Sequence, residues 1–273
     1  KLIEGAQSPV EQKLQAQEKK AILSMGKEYY FKLCVHCHGE EGKGNGKASK
    51  YLLPQPRELN QGIFKLHATQ TNTLPLDEDI IRTIKQGISG TAMPAWDGIL
   101  SNEAIHSLVQ YIKTFSVRFG MEVPGRKFSA GMEPPFDELS IAHGKKVYEE
   151  LRCGKCHGEN GGKEGELSKI LKSFRDKTWF VYDLRRKNFY KAGSSGSDIY
   201  RTLATGLDGS PMNAYDYISD FERWHLVHFL QSLHSIKKDG TFSASNEIIS
   251  RRIDKPITLH LEESIWEKAL EIP

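Results

Sequence analysis

The sequence has no long apolar run. Nowhere do its 273 residues contain the roughly 18 consecutive apolar residues that a membrane-spanning helix needs, and the mean hydropathy is −0.51. It also lacks a large excess of one charge, because 38 Lys and Arg stand against 35 Asp and Glu. We therefore expect no transmembrane segment and no nucleic-acid partner. The chain is long enough, and at 38% apolar enough, to form more than one folded core.

Cysteine is scarce, and all four cysteines fall in two Cys-x-x-Cys-His motifs, at 34–38 and 153–157. Two cysteines three apart lie on one face of a helix, where both thiols reach the vinyl groups on one porphyrin edge and form thioethers. The His that follows is then placed as the proximal iron ligand. The motifs predict two covalently bound c-type haems, held by Cys34, Cys37 and His38 in the first and by Cys153, Cys156 and His157 in the second.

Three alternative roles for the cysteines fit the sequence less well. A thioredoxin-type redox pair follows a strand, whereas the residues before both motifs have a helical pattern. The two halves of a four-cysteine zinc site usually lie about 15 to 20 residues apart, but these motifs are separated by 119 residues. Disulfides between residues three apart are strained and would leave both motif histidines without a role.

An internal repeat suggests the second axial ligand of each iron. The segment 79–83 recurs at 198–202 with the same offset of 119 residues that separates the two motifs. The same offset relates Met93 to Met212, so each Met lies 55 residues after its own motif His in a loop bounded by Gly and Pro. The repeat predicts that both thioethers ligate iron. Packing in the core is the alternative fate of a Met, and we expect it for the methionines without the repeat, Met25, Met121 and Met132.

The motifs, the offset and the Met loops together resemble two class I cytochrome c domains in tandem, as in dihaem cytochromes c. The resemblance implies a mainly α fold in which a few helices of each domain wrap around one covalent haem. In such a domain the closing helix crosses the first at a Gly, for which Tyr111 with Gly26 and Phe229 with Gly144 are candidates. Ser101 and Ser219 are the expected N-caps of the closing helices. The expected order is an arm at 1–20, domains at 21–119 and 138–236 joined by a linker at 120–137, and a tail at 237–273.

Arg57 is a further candidate for cofactor binding. It follows a segment containing two prolines, at 53–56, and its planar guanidinium is suited to pairing with a haem propionate. A solvated surface arginine is the alternative. The two arginines at 185 and 186 are the candidates for the same place in the second domain.

The tail at 237–273 belongs to neither repeat. Residues 253–257 and 263–269 resemble the opening of the haem b domain in the ethylbenzene-dehydrogenase gamma-subunit family. That resemblance implies association with a molybdenum oxidoreductase. A docking tail that covers the second domain is the alternative.

The predicted function is transfer of single electrons between redox protein partners. Iron with two axial ligands leaves no position for a substrate, so we expect an electron-transfer protein rather than an enzyme, either a soluble carrier or a subunit of a respiratory oxidoreductase complex. The alternative is an enzyme similar to dihaem cytochrome c peroxidase, with one open haem. Haem attachment through this motif takes place outside the bacterial cytoplasm, so a periplasmic or other extracytoplasmic location is expected. The sequence begins at Lys1 without a charged n-region or an apolar h-region, and we expect that any export signal has been removed.

Overall fold

Helices form the framework of both halves of the chain. The computed structural model describes residues 8–171 and 179–235, and over these ranges the chain is mainly helical and contains no β-strand. The mainly α fold predicted from the sequence is therefore confirmed. Among the helices in these ranges, none combines the length and apolar character needed to cross a bilayer. The predicted tail at 237–273 lies outside the described residues.

The two halves contain corresponding helices in the same order. In the first half these are α1 (Pro9–Tyr29), a π-helical turn (Tyr30–Cys34), α2 (Val35–His38), α3 (Asp77–Gln86), α4 (Asn102–Lys113) and α5 (Arg118–Met121). In the second half α6 (Glu138–Glu150), α7 (Gly154–His157), α8 (Gly196–Thr205) and α9 (Asp220–Ser232) correspond to α1, α2, α3 and α4, while the π-helical turn and α5 have no counterpart among the described residues. Short 3₁₀ turns lie in the connecting segments.

Side-chain caps fix where the long helices begin. The hydroxyl of Ser101 accepts a hydrogen bond from the first turn of α4, and Ser219 forms a reciprocal capping box with Glu222 at the start of α9. Both predicted caps are confirmed. Ser8 and Glu11 make the same box before α1, which therefore runs from Pro9 without interruption through the expected arm into the first domain.

The first and last helices of each domain cross at a glycine. A Cβ on Gly26 of α1 would lie 2.0 Å from the backbone oxygen of Ser107 and 2.8 Å from Cβ of Tyr111. At the other crossing, a Cβ on Gly144 would lie 1.9 Å from the backbone oxygen of His225. No side chain fits there, so each glycine allows two helix backbones to come into contact. The pairings predicted for Tyr111 and Phe229 are confirmed.

Each crossing encloses an apolar core. The first core is formed by one residue of the π-helical turn, one residue of a connecting segment and buried residues of α3 and α4: Tyr30, Leu59, Ile80, Ile84, Ile105, Leu108, Val109 and Ile112. The second domain buries the corresponding faces of α8 and α9. These cores hold the helices that carry the motifs in fixed positions.

The segment expected to be the linker, 120–137, lies against both halves. Its Phe128 N–H donates to the backbone oxygen of Ala68 at 2.7 Å, and its Gly131 oxygen accepts from the indole N–H of Trp224 at 3.0 Å. Both halves belong to one unit that extends to His234. The segment at 120–137 is therefore packed against the domains that it connects.

The two halves also meet directly, along what we call the interdomain seam, formed by Arg57, His67, Ser89, Lys191 and Asp208. Arg57 Nη2 donates to the backbone oxygen of Asp208 at 3.2 Å, while Lys191 Nζ donates to the backbone oxygen of Ser89 at 3.0 Å. Ser89 and Asp208 are 119 residues apart and therefore occupy equivalent positions in the repeat. A cationic side chain of each domain thus donates a hydrogen bond to the Met loop of the other domain.

Candidate haem-binding sites

Each Cys-x-x-Cys-His motif ends a short helix. α2 ends at His38 and α7 at His157, and the next residues, Gly39 and Gly158, have φ values of 78° and 74°. This left-handed backbone favours glycine and ends the helix directly after the His. The same local geometry therefore presents a pair of cysteines and a His in both domains.

The cysteine thiols form no disulfide in the described residues. All four are free and partly buried. Burial raises the pKa of both Cys34 and Cys153 to about 12, so their thiolate forms are disfavoured at neutral pH. No group of three or more His, Cys, Asp or Glu suited to a metal ion occurs among the described residues. The described residues thus join the cysteines neither to one another nor to a larger group of metal-binding side chains.

The imidazole of His38 is held in the form that can ligate iron. Its Nδ1 lies 3.0 Å from the backbone oxygen of Arg57. Burial lowers the pKa of His38, which keeps the ring neutral. With the proton on Nδ1 donated to this carbonyl, the lone pair of Nε2 remains available to a metal.

His157 occupies the equivalent place in the second domain. Burial lowers its pKa to about 4, so it too is neutral at physiological pH. Its Nδ1 is buried and makes no hydrogen bond of standard geometry within the described residues. The nearby backbone of Tyr182 raises the pKa and so partly offsets the lowering by burial. Two buried neutral imidazoles at the ends of two motif helices fit the cofactor that the motifs require.

Two tyrosines fix the chain just after the motifs. The hydroxyl of Tyr30 donates to the backbone oxygen of Gly39, and that of Tyr148 to the backbone oxygen of Gly158, both at 2.6 Å. Both tyrosine side chains are buried. The sequence analysis did not identify these tyrosines. One signal was available, since each Tyr lies four residues after the crossing glycine of its domain.

The two methionine loops are built alike. In each, the Met backbone oxygen accepts a hydrogen bond from the residue five positions earlier, and the Met N–H donates to a hydroxyl two positions earlier. These bonds are Ile88 N to Met93 O (3.1 Å), Met93 N to Thr91 Oγ1 (3.1 Å), Leu207 N to Met212 O (3.0 Å) and Met212 N to Ser210 Oγ (3.3 Å). Both side chains are half-buried. The structure therefore gives Met93 and Met212 equivalent backbone settings, and their ligation of iron stays a prediction.

Arg57 is not a freely solvated arginine. Its backbone oxygen faces His38, and its guanidinium reaches across the seam to Asp208 and packs against Gly209. In the second domain Tyr182 takes the place of Arg57, because its backbone faces His157 and it lies two residues before Leu184, as Arg57 lies before Leu59. Arg185 pairs with Asp183 of its own domain at 2.8 Å.

Sequence reasoning also missed a buried polar cluster at the seam. Oδ2 of Asp208 lies 3.1 Å from Nε2 of His67, and the carboxylate accepts hydrogen bonds from the hydroxyl of Thr71 at 2.6 Å and the N–H of Asn72 at 2.7 Å. Burial alone would raise the pKa of Asp208, but these donors outweigh it and lower the pKa. Asp208 lies four residues before Met212, so the cluster joins the first domain to the second Met loop.

Family comparisons agree with this geometry. Residues 21–112 match the family model of cytochrome c oxidase, cbb3-type, subunit III, and residues 141–234 match that of cytochrome c. Each matched region contains one Cys-x-x-Cys-His motif and one of the repeated methionines. The two domains thus imply two covalently bound c-type haems.

Similar proteins include components of redox systems. A thiosulfate dehydrogenase of Stutzerimonas stutzeri is 23% identical over 204 residues, and the cbb3-type cytochrome c oxidase subunit CcoP of Azospirillum sp. is 27% identical over 136 residues. Those matches cover 73% and 49% of this chain but only 58% and 38% of the two relatives. A solved chain of the Kuenenia stuttgartiensis reducing HAO-like protein complex is 39% identical with a TM-score of 0.74, covering 77% of this chain and 95% of that one. With two cytochrome c domains in tandem, each carrying its own haem-attachment motif, the chain belongs to the dihaem c-type cytochromes.

Proposed function

We propose that the protein passes single electrons between redox protein partners through two haems, each ligated by a His and a Met. His38 and His157 would hold the two irons through their imidazoles, and Met93 and Met212 would supply the second protein ligand of each iron. The observation that carries this proposal is the equivalence of the two sites, since each pairs a buried neutral imidazole with a Met in the same hydrogen-bonded loop. When bound, the haem iron supplies one-electron chemistry by alternating between the ferrous and ferric states.

The protein residues have two tasks in this function. The carbonyl of Arg57 orients the His38 ring. The thioether of Met93 would occupy the position on the iron where a substrate could otherwise bind. A closed iron does not activate peroxide, and the comparisons do not favour the alternative of a dihaem peroxidase. We also propose that the two haem domains extend over 21–119 and 138–236, which contain the two family matches.

We propose that the electron partner is a redox enzyme in an extracytoplasmic compartment. The names of the similar proteins support this class of partner, since they include a thiosulfate dehydrogenase, a cytochrome oxidase subunit and an HAO-like complex. A molybdenum oxidoreductase was expected only from the tail at 237–273. Whether this chain is a free carrier or a permanent subunit is decided by whether it co-purifies with such an enzyme.

Absorption spectroscopy of the purified dihaem protein tests the proposal. We expect two c-type haems with the charge-transfer band of Met-ligated ferric iron, and no spectral change with carbon monoxide or peroxide. Met93→Ala should open one haem to carbon monoxide and leave the other closed, and Met212→Ala should do the converse. Met121→Ala is the matched control because this side chain is 82% exposed and lies outside the repeat.

Either of two results would refute the proposal. Carbon monoxide binding to the unaltered protein would mean that one iron lacks its Met, and rapid oxidation by peroxide would favour the enzymatic alternative. Retention of both charge-transfer bands in the two Met→Ala variants would show that the assigned methionines are wrong.

A further inference from the structure

The second Met loop is held by residues outside its own domain. Asp208 lies four residues before Met212, and its side chain is buried. The carboxylate accepts hydrogen bonds from the hydroxyl of Thr71 and the N–H of Asn72, and Oδ2 lies 3.1 Å from Nε2 of His67. These three partners all belong to the first domain. The first domain therefore contacts the loop close to the predicted ligand of the second iron.

The first-domain side of this contact is fixed in place. Nδ1 of His67 lies 3.1 Å from both the backbone oxygen and the hydroxyl of Thr69. That hydroxyl donates its own hydrogen to the backbone oxygen of Leu74 at 3.0 Å, so Nδ1 faces two acceptors and carries a hydrogen. All three residues are buried, with at most 2% of their surface exposed. If the Met loop moved, its contact with His67 would therefore break, because the ring could not follow.

Hydrogen bonds inside the loop connect Asp208 to the Met. The N–H of Leu207 donates to the backbone oxygen of Met212 at 3.0 Å, and the N–H of Ser210 donates to the backbone oxygen of Leu207 at 3.0 Å. The hydroxyl of Ser210 accepts from the N–H of Met212 at 3.3 Å. The neighbours of Asp208 thus bond to the Met backbone at both its oxygen and its N–H. Holding Asp208 therefore restricts where the thioether of Met212 can lie.

The first Met loop cannot form the same cluster. Ser89 stands at the position equivalent to Asp208, and its side chain has no carboxylate. The backbone oxygen of Ser89 accepts a hydrogen bond from Nζ of Lys191 at 3.0 Å, in an exposed position. The two Met loops therefore share their internal hydrogen bonds but differ in what holds them from the other domain.

We propose that His67, Thr71 and Asn72 position Met212 through Asp208, so that ligation of the second iron depends on the first domain. The inference rests on the proposed His/Met ligation of the haems, and it gives a positioning role to residues other than the ligands. Releasing the loop raises the fraction of molecules in which Met212 has left its position. An external ligand that competes with Met212 measures this fraction, because its apparent affinity is proportional to it.

Imidazole titration of the ferric holoprotein tests this role. The background is Met93→Ala, in which the charge-transfer band of Met-ligated ferric iron reports Met212 alone. Adding Asp208→Ala should lower the imidazole concentration that removes half of this band about tenfold. Gly26→Ala is the matched control, because it weakens the fold at a helix crossing outside the seam, and it should leave that concentration unchanged. In the Met212→Ala background, where the band reports Met93, Asp208→Ala should have no effect.

A milder variant covers the case in which Asp208→Ala does not retain two haems. Asp208→Asn keeps the size of the side chain and an oxygen for the hydroxyl of Thr71, but removes the negative charge beside His67. It should lower the half-removal concentration by a smaller factor than Asp208→Ala does.

Three results would overturn the positioning role. The first is that the Asp208 variants that retain two haems need as much imidazole as Met93→Ala alone. The second is that Asp208→Ala acts equally on the bands of Met93 and Met212, and the third is that Gly26→Ala gives the same change. In all three, the unaltered protein still shows both charge-transfer bands. Absence of these bands from the unaltered protein would instead refute the proposed function, and this inference with it.

Discussion

Replacing Asp208 by alanine would test how strongly the buried polar cluster joins the two domains. The carboxylate is 5% exposed and the His67 ring beside it is fully buried. In Asp208→Ala the buried His67 ring loses the carboxylate oxygen that lies 3.1 Å from its Nε2, a polar contact between buried groups that contributes about 1 to 3 kcal/mol. The bonds from Thr71 and Asn72 add about 1 kcal/mol together, because both residues are exposed and water replaces the lost acceptor. We expect a loss of about 3 kcal/mol in the free energy of unfolding.

Guanidinium unfolding followed by circular dichroism measures this loss. Asp216→Ala is the control, because Asp216 is exposed in the segment after the same Met loop and should change stability by less than about 0.5 kcal/mol. The double variant Asp208→Ala/His67→Gln should lose less stability than the sum of the losses in the two single variants, because each single substitution already removes the interaction between these two side chains.

A small effect would refute this reasoning. If Asp208→Ala unfolds within about 1 kcal/mol of the wild type, the cluster does not stabilise the seam. Strict additivity with His67→Gln would also show that the two side chains do not interact in solution.

Three further variants test the helix crossing, the motif turn and an ion pair. Gly26→Ala should destabilise the protein by about 3 kcal/mol, because the added Cβ meets backbone at 2.0 Å, whereas Gly120→Ala, with nothing within 4 Å, should be neutral or slightly stabilising in urea unfolding. Tyr148→Phe should cost about 0.5 to 1.5 kcal/mol, since it removes one buried hydrogen bond to the carbonyl after the motif His and leaves only the longer bond from the Gly161 N–H at 3.3 Å; an unchanged urea midpoint would contradict this. The Arg185 hydrogen bond lowers the pKa of Asp183, so its stabilisation is present above the unfolded pKa of about 3.9 and is lost as the pH falls below that value. Asp183→Asn should therefore be less stable than the wild type at pH 7, and thermal unfolding should show this difference shrinking as the pH is lowered below about 3.9.

The parts of the structure that could be predicted are those that local spacing determines. The caps at Ser101 and Ser219 depend on residues within one turn, and the crossings at Gly26 and Gly144 recur with the repeat. The haem motifs are specified by five consecutive residues. These features need no knowledge of how the two halves meet.

The seam could not be predicted because its contacts join distant positions without periodicity. His67 and Asp208 are 141 residues apart, and neither lies in a recognisable motif. The repeat offset also changes, since Leu59 and Leu184 differ by 125 residues whereas Asp79 and Asp198 differ by 119. Because of this shift, the offset of 119 residues does not relate Arg57 to Tyr182, and the sequence indicated Arg185 instead.

The reciprocal contacts at the seam have the pattern of an isologous interface, in which two copies of one surface meet about a twofold axis. In a homodimer every substitution appears on both sides, so the two iron centres would remain identical. Here the two copies share one chain. The segment that leads into α3 is six residues longer than its counterpart before α8. It includes Thr71 and Asn72, which donate hydrogen bonds to the carboxylate of Asp208. The first Met loop has Ser89 at the equivalent position, where there is no carboxylate for such a turn to hold. Fusion of the two halves has thus allowed them to diverge, which is the condition for giving electron flow between two similar centres a preferred direction.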